Sequence, residues 1–377
     1  MTAHKTVFET VLIYGPLADD LVEGLKAVFT KVIHYAVPQF VPLSADVSLP
    51  TDEDYRSIDA FFGFTVPPNL TSWKQTPRLK LFQGLSAGYN HVEASEFFKS
   101  LPEESPVSFA SASGIHVSTI GEHSLATVLM LYHKLHTINL RMHNERNWIP
   151  HSELGGNYIR ELNTLKVGIV GYGHIGRETA RLFHSCGSTI LALTRSGEPS
   201  PIGGFLLPHT GDPSGVLPSR YYSSSSRSST LRFFSDCDVV INTLPDSTAT
   251  KGFVGEAELK AMKGDGVYVN IGRGTTTDQE ALVKALRAEP GEGEEKDAAG
   301  TLRIGGASLD VTSPEPLPHD HPLYTLPNVV LTPHMSGLST RYFVNAVKVL
   351  EANVERMRRG KGALNAYRGR GENGEKL

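Results

Sequence analysis

A glycine-rich hexapeptide is the first feature of this sequence that points to chemistry. Residues 171–176, GYGHIG, fit the pattern GxGxxG, follow an apolar run and open a helical pattern. In that context Gly171 makes a tight turn, Gly173 lets the backbone approach a phosphate, and Gly176 lets the helix pack closely on the strand. The N–H groups and positive potential of the helix N-terminus favour an anion. The pattern therefore predicts a dinucleotide site rather than a purely structural turn.

The residues after the next predicted strand bear on which dinucleotide binds. An NAD site normally places Asp or Glu about 20 residues after the glycines, where it binds the ribose hydroxyls. Here the strand at 189–193 ends in Thr194-Arg195-Ser196, without a carboxylate. A guanidinium and two hydroxyls suit a 2′-phosphate, so we expect NADP(H) to be favoured, with NAD(H) as the alternative. Arg195 could instead stack on adenine or face solvent, which leaves the preference open.

Three further polar residues, Arg273, Glu315 and His334, each come a few residues after an apolar run typical of a strand. Taken singly, they have ordinary interpretations: a surface charge, a solvated carboxylate and a histidine with satisfied hydrogen bonds. In a doubly wound sheet, however, the carboxyl ends of the strands converge on the crevice in which ligands bind. Their order and context therefore favour a shared site.

Composition narrows the class of protein. The chain has 377 residues, a formal net charge of −4 and 40% hydrophobic residues. Bulk disorder is therefore not expected, and no basic excess favours a nucleic acid partner. Two cysteines cannot form a disulfide framework, and no run of 18 apolar residues predicts a membrane span, so we expect a cytoplasmic protein. The pairs His133/His136 and His319/His321 lack a convincing third ligand, so no metal site is predicted.

The pattern of elements is that of an α/β protein. Short apolar runs alternate with longer helical stretches, as in parallel sheets covered by helices. One group of strands is predicted at residues 10–14, 60–64 and 79–83. A second group of six is predicted at residues 165–170, 189–193, 239–243, 267–270, 306–309 and 329–331. Long helices are predicted at residues 119–136 and 339–359, which gives two sheets and their covering helices.

Two segments within the second group are predicted to be inserted surface loops. Residues 197–235 are rich in Ser, Gly and Pro, and residues 288–301 are acidic and poor in apolar side chains. Such compositions do not bury enough apolar surface to pack.

Seven motifs carry a resemblance to a known family. They are LKLFQGLSAGYNHV, TIGEHSLATVLML, LKVGIVGYGHIGRETARLF, INTLPDSTAT, VNIGRGTTTDQEAL, ASLDVTSPEPLP and HPLYTLPNVVLTPHMSG, in that order along the chain. On these motifs, residues 58–357 resemble the D-isomer-specific 2-hydroxyacid dehydrogenase family. Asn90 and Gly121 depart from the family's usual Asp and Ala, and neither departure removes a catalytic group.

The resemblance implies an α/β fold of two domains, in which a Rossmann-type doubly wound parallel sheet is inserted into a smaller flavodoxin-like substrate domain. It places the substrate domain at residues 1–118 plus 338–377 and the NAD(P)-binding domain at residues 119–337. It also implies a homodimer, with the helix at 119–136 contributing to the interface.

The resemblance assigns roles to individual residues. His334 falls on the family's acid/base histidine, Glu315 on the carboxylate that pairs with it, and Arg273 on the arginine that holds the substrate. Ala87 and Gly88 fall where backbone N–H groups bind the substrate carboxylate. Together with the second turn, the motifs give as cofactor-binding positions Gly171, Gly173, His174, Ile175, Gly176, Thr194, Arg195, Ser196, Thr243, Leu244, Pro245, Ile271, Asp310, Ser336 and Gly337.

The reaction implied is hydride transfer from a nicotinamide to C2 of a small 2-oxoacid, with His334 as the proton donor and, in reverse, as the base. We expect an NADPH-dependent reductase of the glyoxylate or hydroxypyruvate type. A phosphoglycerate dehydrogenase-like enzyme is one alternative. Another is a dinucleotide-sensing corepressor of the same fold, which the presence of Arg273, Glu315 and His334 does not exclude.

Overall fold

The computed structural model describes residues 6–38, 47–154, 159–287 and 304–368, which form two compact units. The first unit contains the described residues up to Ile115, the short segment Gly203–Leu207 and the described residues from Ser339 onward. The second contains the described residues of His116–Ile202 and Pro208–Leu338. The second unit is therefore built largely as an insertion into the first.

Both units alternate strands and helices. The strands are β1 (Thr10–Tyr14), β2 (Lys31–Tyr35), β3 (Ala60–Gly63), β4 (Leu81–Gly84), β5 (Ser108–Ala110), β6 (Lys166–Val170), β7 (Thr189–Thr194), β8 (Arg220–Ser223), β9 (Val239–Asn242), β10 (Val267–Asn270), β11 (Gly306–Leu309), β12 (Val329–Leu331) and β13 (Ala366–Arg368). The helices are α1 (Asp19–Gly24), α2 (Asp52–Ser57), α3 (Asn90–Glu93), α4 (Glu96–Lys99), α5 (Val117–Tyr132), α6 (Leu135–Glu145), α7 (His174–Ser185), α8 (Arg227–Asp236), α9 (Glu256–Ala261), α10 (Gln279–Leu286) and α11 (Tyr342–Arg358). Each strand predicted from the sequence is present, with its ends within two residues of the prediction.

The sheet of the first unit has the order β13-β5-β4-β3-β1-β2. Its neighbouring strands are parallel except β13, which is antiparallel to β5. All five residues of β1 are buried, as expected for a central strand covered on both faces. The five parallel strands follow the flavodoxin-like order, so the predicted fold of this unit is confirmed.

The sheet of the second unit has the order β12-β11-β10-β9-β6-β7-β8, and every neighbouring pair is parallel. From β6 the chain first builds outward through β7 and β8, then returns to the other side of β6 with β9. That reversal defines the Rossmann arrangement and places a ligand crevice at the carboxyl ends of the strands. The Rossmann-type prediction is confirmed, with seven strands rather than the six expected.

The seventh strand comes from the serine-rich segment, and the prediction that residues 197–235 are a surface loop is wrong for their second half. Residues 220–223 form β8 on the sheet edge beside β7, and α8 follows. The Ser226 hydroxyl accepts from the N–H of Ser229 at 3.4 Å and caps α8, while Tyr222 is buried. Serine is favoured both in loops and at helix N-caps, so its abundance concealed a strand and a helix start.

The first half of the same segment contributes to the first unit. The N–H of Phe205 donates to Asn365 Oδ1 at 3.1 Å, and the Phe205 side chain packs against the core cluster of that unit. The serine-rich insertion therefore has ordered residues in both units.

The long helix predicted at 119–136 is two helices, α5 and α6. Lys134 has a φ of 54°, a left-handed conformation that ends one helix and precedes the next. The acidic segment 288–301 lies outside the described residues. Over the described ranges, no helix is both long and apolar enough to cross a membrane.

Candidate active site

The turn between β6 and α7 has the geometry that a dinucleotide requires. Gly171 has a φ of +86°, a left-handed conformation that favours glycine. A Cβ at Gly176 would lie 2.8 Å from Ile169 Cγ2, so glycine is needed for α7 to pack this closely on β6. A Cβ at Gly173 would meet no atom within 4 Å, which leaves open space beside the backbone. The residues present therefore fit a pyrophosphate, with the predicted His174 and Ile175 as the first two residues of α7.

The loop after β9 is tied to this turn. Thr243 Oγ1 donates to the Gly171 carbonyl at 2.6 Å, and its N–H donates to the Val170 carbonyl at 3.0 Å. A Cβ at Gly171 would lie 3.2 Å from Leu244 Cδ2. Residues 243 and 244, with Pro245 next along the chain, therefore lie where a wall of the dinucleotide site is expected.

The turn after β7 holds the residues predicted to select the cofactor. Thr194 ends the strand, and the side chains of Arg195 and Ser196 are exposed. The Arg195 carbonyl accepts from Ser223 Oγ at 2.8 Å and from Ser225 Oγ at 3.0 Å. The backbone of the turn is thus fixed by the end of β8. The Arg195 guanidinium, which forms no ion pair with any described carboxylate, is available to an anion.

The structure brings Glu315 and His334 together. His334 Nδ1 lies 2.9 Å from Glu315 Oε2, and both side chains are partly exposed, at 50% and 39%. The other carboxylate oxygen of Glu315 accepts from the N–H of Thr312 at 2.9 Å, so the carboxylate is held on both sides. Because the carboxylate occupies Nδ1, Nε2 is the imidazole nitrogen that can exchange a proton with a ligand.

Asp310, predicted near the cofactor, holds the loop that presents His334. Its Oδ1 accepts from Thr332 Oγ1 at 2.6 Å and from the N–H of Met335 at 2.9 Å, and its Oδ2 accepts from the N–H of Ser336 at 3.0 Å. His334 has a φ of +52°, and its N–H donates to the Asp310 carbonyl at 2.9 Å. Burial alone would raise the pKa of Asp310, but hydrogen bonds from Ser336, Thr332 and Met335 outweigh it and the pKa is lowered. An ionised carboxylate therefore stabilises a histidine in an uncommon backbone conformation.

Arg273 lies after β10, beyond the buried Ile271. Its carbonyl accepts from Asn270 Nδ2 at 3.1 Å and from Thr276 Oγ1 at 2.6 Å, and its Nη1 donates to the Gly272 carbonyl at 2.7 Å. In the described part of the chain it forms no ion pair and no hydrogen bond to the acid/base pair. Its remaining donors can therefore serve an anionic ligand.

A cavity of about 450 Å³ opens beside the acid/base pair, large enough for a small molecule. Its lining consists of Asp310, Thr312, Glu315, Pro316, Leu317, Tyr324, Leu331, Thr332, Pro333 and His334, and does not include Arg273. The cavity combines two carboxylates, Asp310 and Glu315, and the imidazole of His334 with apolar side chains.

The turn after β4, in the first unit, holds the residues predicted to bind a substrate carboxylate. The Ser86 carbonyl accepts from the N–H of Ala112 at 2.9 Å, and the Gly88 carbonyl accepts from Ser86 Oγ at 2.6 Å. The N–H groups of Ala87 and Gly88 have no acceptor among the described residues. A turn with its carbonyls engaged and its N–H groups free is suited to binding an anion.

Two histidines that sequence reasoning passed over lie close to predicted site residues of the second unit. Burial, together with the charge of Arg273, lowers the pKa of His116 to about 4. A Cβ on Gly337, one of the predicted cofactor positions, would lie 3.9 Å from His116 Cβ. His123 Nε2 lies 3.3 Å from Thr332 Oγ1, and burial lowers the pKa of His123 against the opposite effect of a nearby carboxylate. Both imidazoles are neutral at pH 7. His123 belongs to the motif that begins with TIGEH, and His116 lies shortly before that motif; only this place could have drawn attention to them.

His136, one of the histidines considered as metal ligands, lies beside backbone carbonyls. The ring nitrogens of His136 lie 3.2 Å from the Met130 carbonyl and 2.9 Å from the Pro327 carbonyl. Within the described ranges, no group of three or more His, Cys, Asp or Glu side chains is arranged to hold a metal ion.

Comparison with known proteins places these features in a family. The family model named D-isomer specific 2-hydroxyacid dehydrogenase, NAD binding domain, matches residues 125–204 and 217–336. Glyoxylate/hydroxypyruvate reductase B of Klebsiella pneumoniae is 27% identical over 359 residues, which cover 92% of this chain and 97% of that protein.

Solved structures share the fold. The D-isomer specific 2-hydroxyacid dehydrogenase from Xanthobacter autotrophicus Py2, in complex with NADPH and MES, has a TM-score of 0.70 at 21% identity and covers 96% of this chain and 98% of its own. The D-isomer specific 2-hydroxyacid dehydrogenase from Lactobacillus delbrueckii ssp. bulgaricus, in its NAD complexed form, has a TM-score of 0.68 at 18% identity. The match covers 95% of this chain and 99% of that one. Because the family model matches more than half of its length, the chain belongs to the D-isomer specific 2-hydroxyacid dehydrogenase family and is an NAD(P)-dependent oxidoreductase.

Proposed function

We propose that the protein reduces small 2-oxoacids of the glyoxylate or hydroxypyruvate type, prefers NADPH, and forms D-configured hydroxyacids where a stereocentre exists. The observation that carries the proposal is the distance of 2.9 Å between His334 Nδ1 and Glu315 Oε2. A positioned imidazole paired with a carboxylate is the kind of group that donates a proton to a carbonyl oxygen. The reductase name of the K. pneumoniae relative supports the substrate class.

The dinucleotide would be held by the glycine turn at residues 171–176, by Thr194-Arg195-Ser196 and by residues 243–245. When bound, its nicotinamide supplies the hydride that reaches C2 of the oxoacid. Ile271, Asp310, Ser336 and Gly337 would lie toward the nicotinamide end. The protein's own part is to orient the two reactants and to move one proton.

His334 moves that proton. In the direction of reduction, protonated Nε2 donates to the carbonyl oxygen of the substrate, and in the reverse direction neutral Nε2 accepts the hydroxyl proton. Glu315, fixed by the Thr312 N–H, accepts a hydrogen bond at Nδ1 and keeps the ring in one orientation. His334 therefore presents Nε2 to the substrate in a fixed direction.

Three groups would hold the substrate. The Arg273 guanidinium has donors left for the carboxylate and for polarising the ketone oxygen. The N–H groups of Ala87 and Gly88, which have no acceptor among the described residues, would bind carboxylate oxygens. Fixed donors of this kind stabilise developing charge without having to reorganise during the reaction.

The preference for NADPH is proposed from the turn after β7. The exposed Arg195 guanidinium and the hydroxyls of Thr194 and Ser196 suit a 2′-phosphate, while an acidic residue that would bind the free ribose hydroxyls is absent from these three positions. Because two serine hydroxyls fix the Arg195 carbonyl, the turn presents its side chain from a defined backbone.

We also propose a cytoplasmic homodimer. Helix α6 has no buried residue, and its Leu135 and Leu140 are 51% and 61% exposed. A second copy of the chain would remove this apolar surface from water. Both cysteines are free, as is usual in a reducing compartment. Sedimentation of the full chain tests the assembly.

The proposed activity is tested by initial rates of NADPH and, separately, NADH oxidation with glyoxylate, hydroxypyruvate, pyruvate and phenylpyruvate. We expect faster turnover with NADPH, and loss of about three orders of magnitude in His334→Ala, since general acid catalysis contributes about 10²–10⁴-fold. A preference for NADH would contradict the role of Arg195. Tight dinucleotide binding without turnover of any oxoacid would favour a dinucleotide sensor instead.

A further inference from the structure

Tyr342, the first residue of α11, is joined to the turn that follows β4 in the first unit. Its hydroxyl donates to the carbonyl oxygen of Leu85 at 2.8 Å. Leu85 directly precedes the turn that holds Ala87 and Gly88, so the bond reaches this turn from a helix far along the chain. No step of the proposed mechanism uses the hydroxyl.

The Tyr342 ring is fixed. Its centroid lies 5.9 Å from that of Phe64 and 5.4 Å from that of Phe343, and the side chain packs against the core of the first unit. Burial raises the pKa of Tyr342, so its hydroxyl keeps its proton and remains a donor at every pH at which the enzyme would work. The Leu85 carbonyl therefore has a permanent partner in a constant position.

This bond sets the direction of an N–H group. In a planar trans peptide the C=O and N–H point in opposite directions, so a Leu85 carbonyl turned toward Tyr342 directs the Ser86 N–H away from it. The next peptide is fixed in the same way, because the Ser86 carbonyl accepts from the N–H of Ala112 at 2.9 Å. Like the Ala87 N–H, the Ser86 N–H has no acceptor among the described residues.

We propose that Tyr342 is a positioning residue for the substrate carboxylate, and that the Ser86 N–H which it orients binds the carboxylate beside those of Ala87 and Gly88. The inference rests on the proposed reduction of a 2-oxoacid and extends it to a residue outside the turn. Without the phenol hydroxyl, the peptide between Leu85 and Ser86 can rotate, and its N–H must be reoriented each time a ligand binds. That reorientation weakens binding while leaving the acid/base pair untouched.

The test replaces Tyr342 by Phe, which removes only the hydroxyl. We expect the KM for the oxoacid to rise about threefold to tenfold, the effect of losing one neutral hydrogen bond, with kcat changed less than twofold. The dissociation constant of oxalate, a dicarboxylate that is not reduced, should rise by the same factor when measured by calorimetry with NADP bound. The dissociation constant of NADPH should not change.

Tyr14→Phe is the matched control. Tyr14 is a buried tyrosine of the same unit, and its hydroxyl has no hydrogen-bond partner among the described residues, so its loss should change neither KM nor oxalate binding. A merely structural role of Tyr342 predicts lower thermal stability with unchanged KM and oxalate affinity, and that result overturns the proposal. So does a fall in kcat at constant KM.

The same measurements separate this inference from the proposed function. If wild-type protein turns over oxoacids and Tyr342→Phe matches it in KM, only the positioning role fails. If wild-type protein turns over none of the oxoacids, the proposed function fails, and oxalate binding alone decides whether Tyr342 orients an anion site.

Discussion

Two turns in this protein, one in each unit, are proposed to bind an anion through N–H groups, and they are built in different ways. The turn after β6 depends on three glycines within six residues: Gly171 has a positive φ, a Cβ at Gly176 would clash, and Gly173 leaves open space beside the backbone. The turn after β4 depends on carbonyls held by Tyr342 and Ala112, which lie elsewhere in the chain. The first kind of site is visible in a short stretch of sequence, whereas the second requires the folded molecule.

The loop of His334 belongs to the second kind. Its neighbours Thr332, Met335 and Ser336 all donate to Asp310, which lies at the end of a different strand. A histidine with a φ of +52° is maintained by these contacts rather than by its own residue type. The comparison therefore predicts that a loop held by residues elsewhere in the chain loses its conformation when one of its acceptors is substituted.

Among the substitutions that test this comparison, the largest effect is expected for Asp310→Asn. The substitution keeps the size of the side chain but turns one carboxylate oxygen into an NH₂ group. In the place of Oδ2 this group cannot accept from the Ser336 N–H, and in the place of Oδ1 it cannot accept from Thr332 Oγ1 and the Met335 N–H. The loop shifts and carries His334 away from its carboxylate, and kcat/KM should fall about 100-fold, as for a displacement of about 1 Å at a catalytic group. Steady-state rates with NADPH and the best oxoacid measure the loss.

Asp320→Asn serves as the control for Asp310→Asn because it makes the same chemical change at an exposed position. It should retain wild-type rates. If Asp310→Asn stays within threefold of wild type, the loop of His334 does not need its distant acceptor, and the distinction between the two kinds of site is wrong for this loop.

The strands show which parts of the fold could be predicted from sequence patterns. Strands such as β10 and β11 were placed to the residue because each is a short, fully buried run bounded by turn signals. β2 was missed because it is an edge strand whose residues are exposed or half-buried, and such a strand lacks a continuous apolar run. β8 was missed because serines surround it. β5 was also missed although its three residues are all buried, so burial alone did not decide which strands could be predicted.

Some features of the candidate site could likewise be predicted from local sequence, and others could not. The glycine turn and the order of Arg273, Glu315 and His334 were readable, because each motif is local and its place after a strand is regular. The lowered pKa of His116 could not be predicted from the sequence. It is caused by burial and by the charge of Arg273, a residue far away along the chain. Residue type gives the chemistry that is available, and long-range packing decides which groups have partners.

The second effect concerns the turn that is built locally. In Gly173→Ala the new Cβ meets no protein atom within 4 Å, and the φ of −87° suits alanine, so the protein should fold normally. A methyl group in the path of the pyrophosphate should nevertheless raise the dissociation constant of NADPH about tenfold or more, since the backbone can no longer approach the phosphates. Fluorescence titration with NADPH measures the change.

Gly24→Ala is a suitable control for Gly173→Ala, because the Cβ at position 24 also meets nothing within 4 Å and lies in the other unit. It should bind NADPH as wild type does. Unchanged NADPH affinity in Gly173→Ala would mean that the glycine turn is structural. The proposal that this turn binds the pyrophosphate would then be wrong.

The smallest effect is expected for Ser86→Ala, which removes one of several contacts that hold the turn after β4. Ser86 Oγ donates to the Gly88 carbonyl at 2.6 Å, and its loss leaves the Leu85 and Ser86 carbonyls engaged as before. We therefore expect KM for the oxoacid to rise about threefold, toward the lower end of the effect of one hydrogen bond, with kcat nearly unchanged. Steady-state kinetics across substrate concentrations separates the two constants.

Ser57→Ala controls for the general loss of a serine bond, because Ser57 Oγ donates to a backbone carbonyl at 2.8 Å at the end of α2. It should leave KM unchanged. If Ser86→Ala also leaves KM unchanged while Tyr342→Phe raises it, the contact reaching the turn from α11 matters and the contact within the turn does not. A rise in KM for Ser86→Ala that exceeds the rise for Tyr342→Phe would reverse that ranking. The turn after β4 would then resemble the glycine turn, held mainly by its own residues, and the contrast between the two sites would not hold.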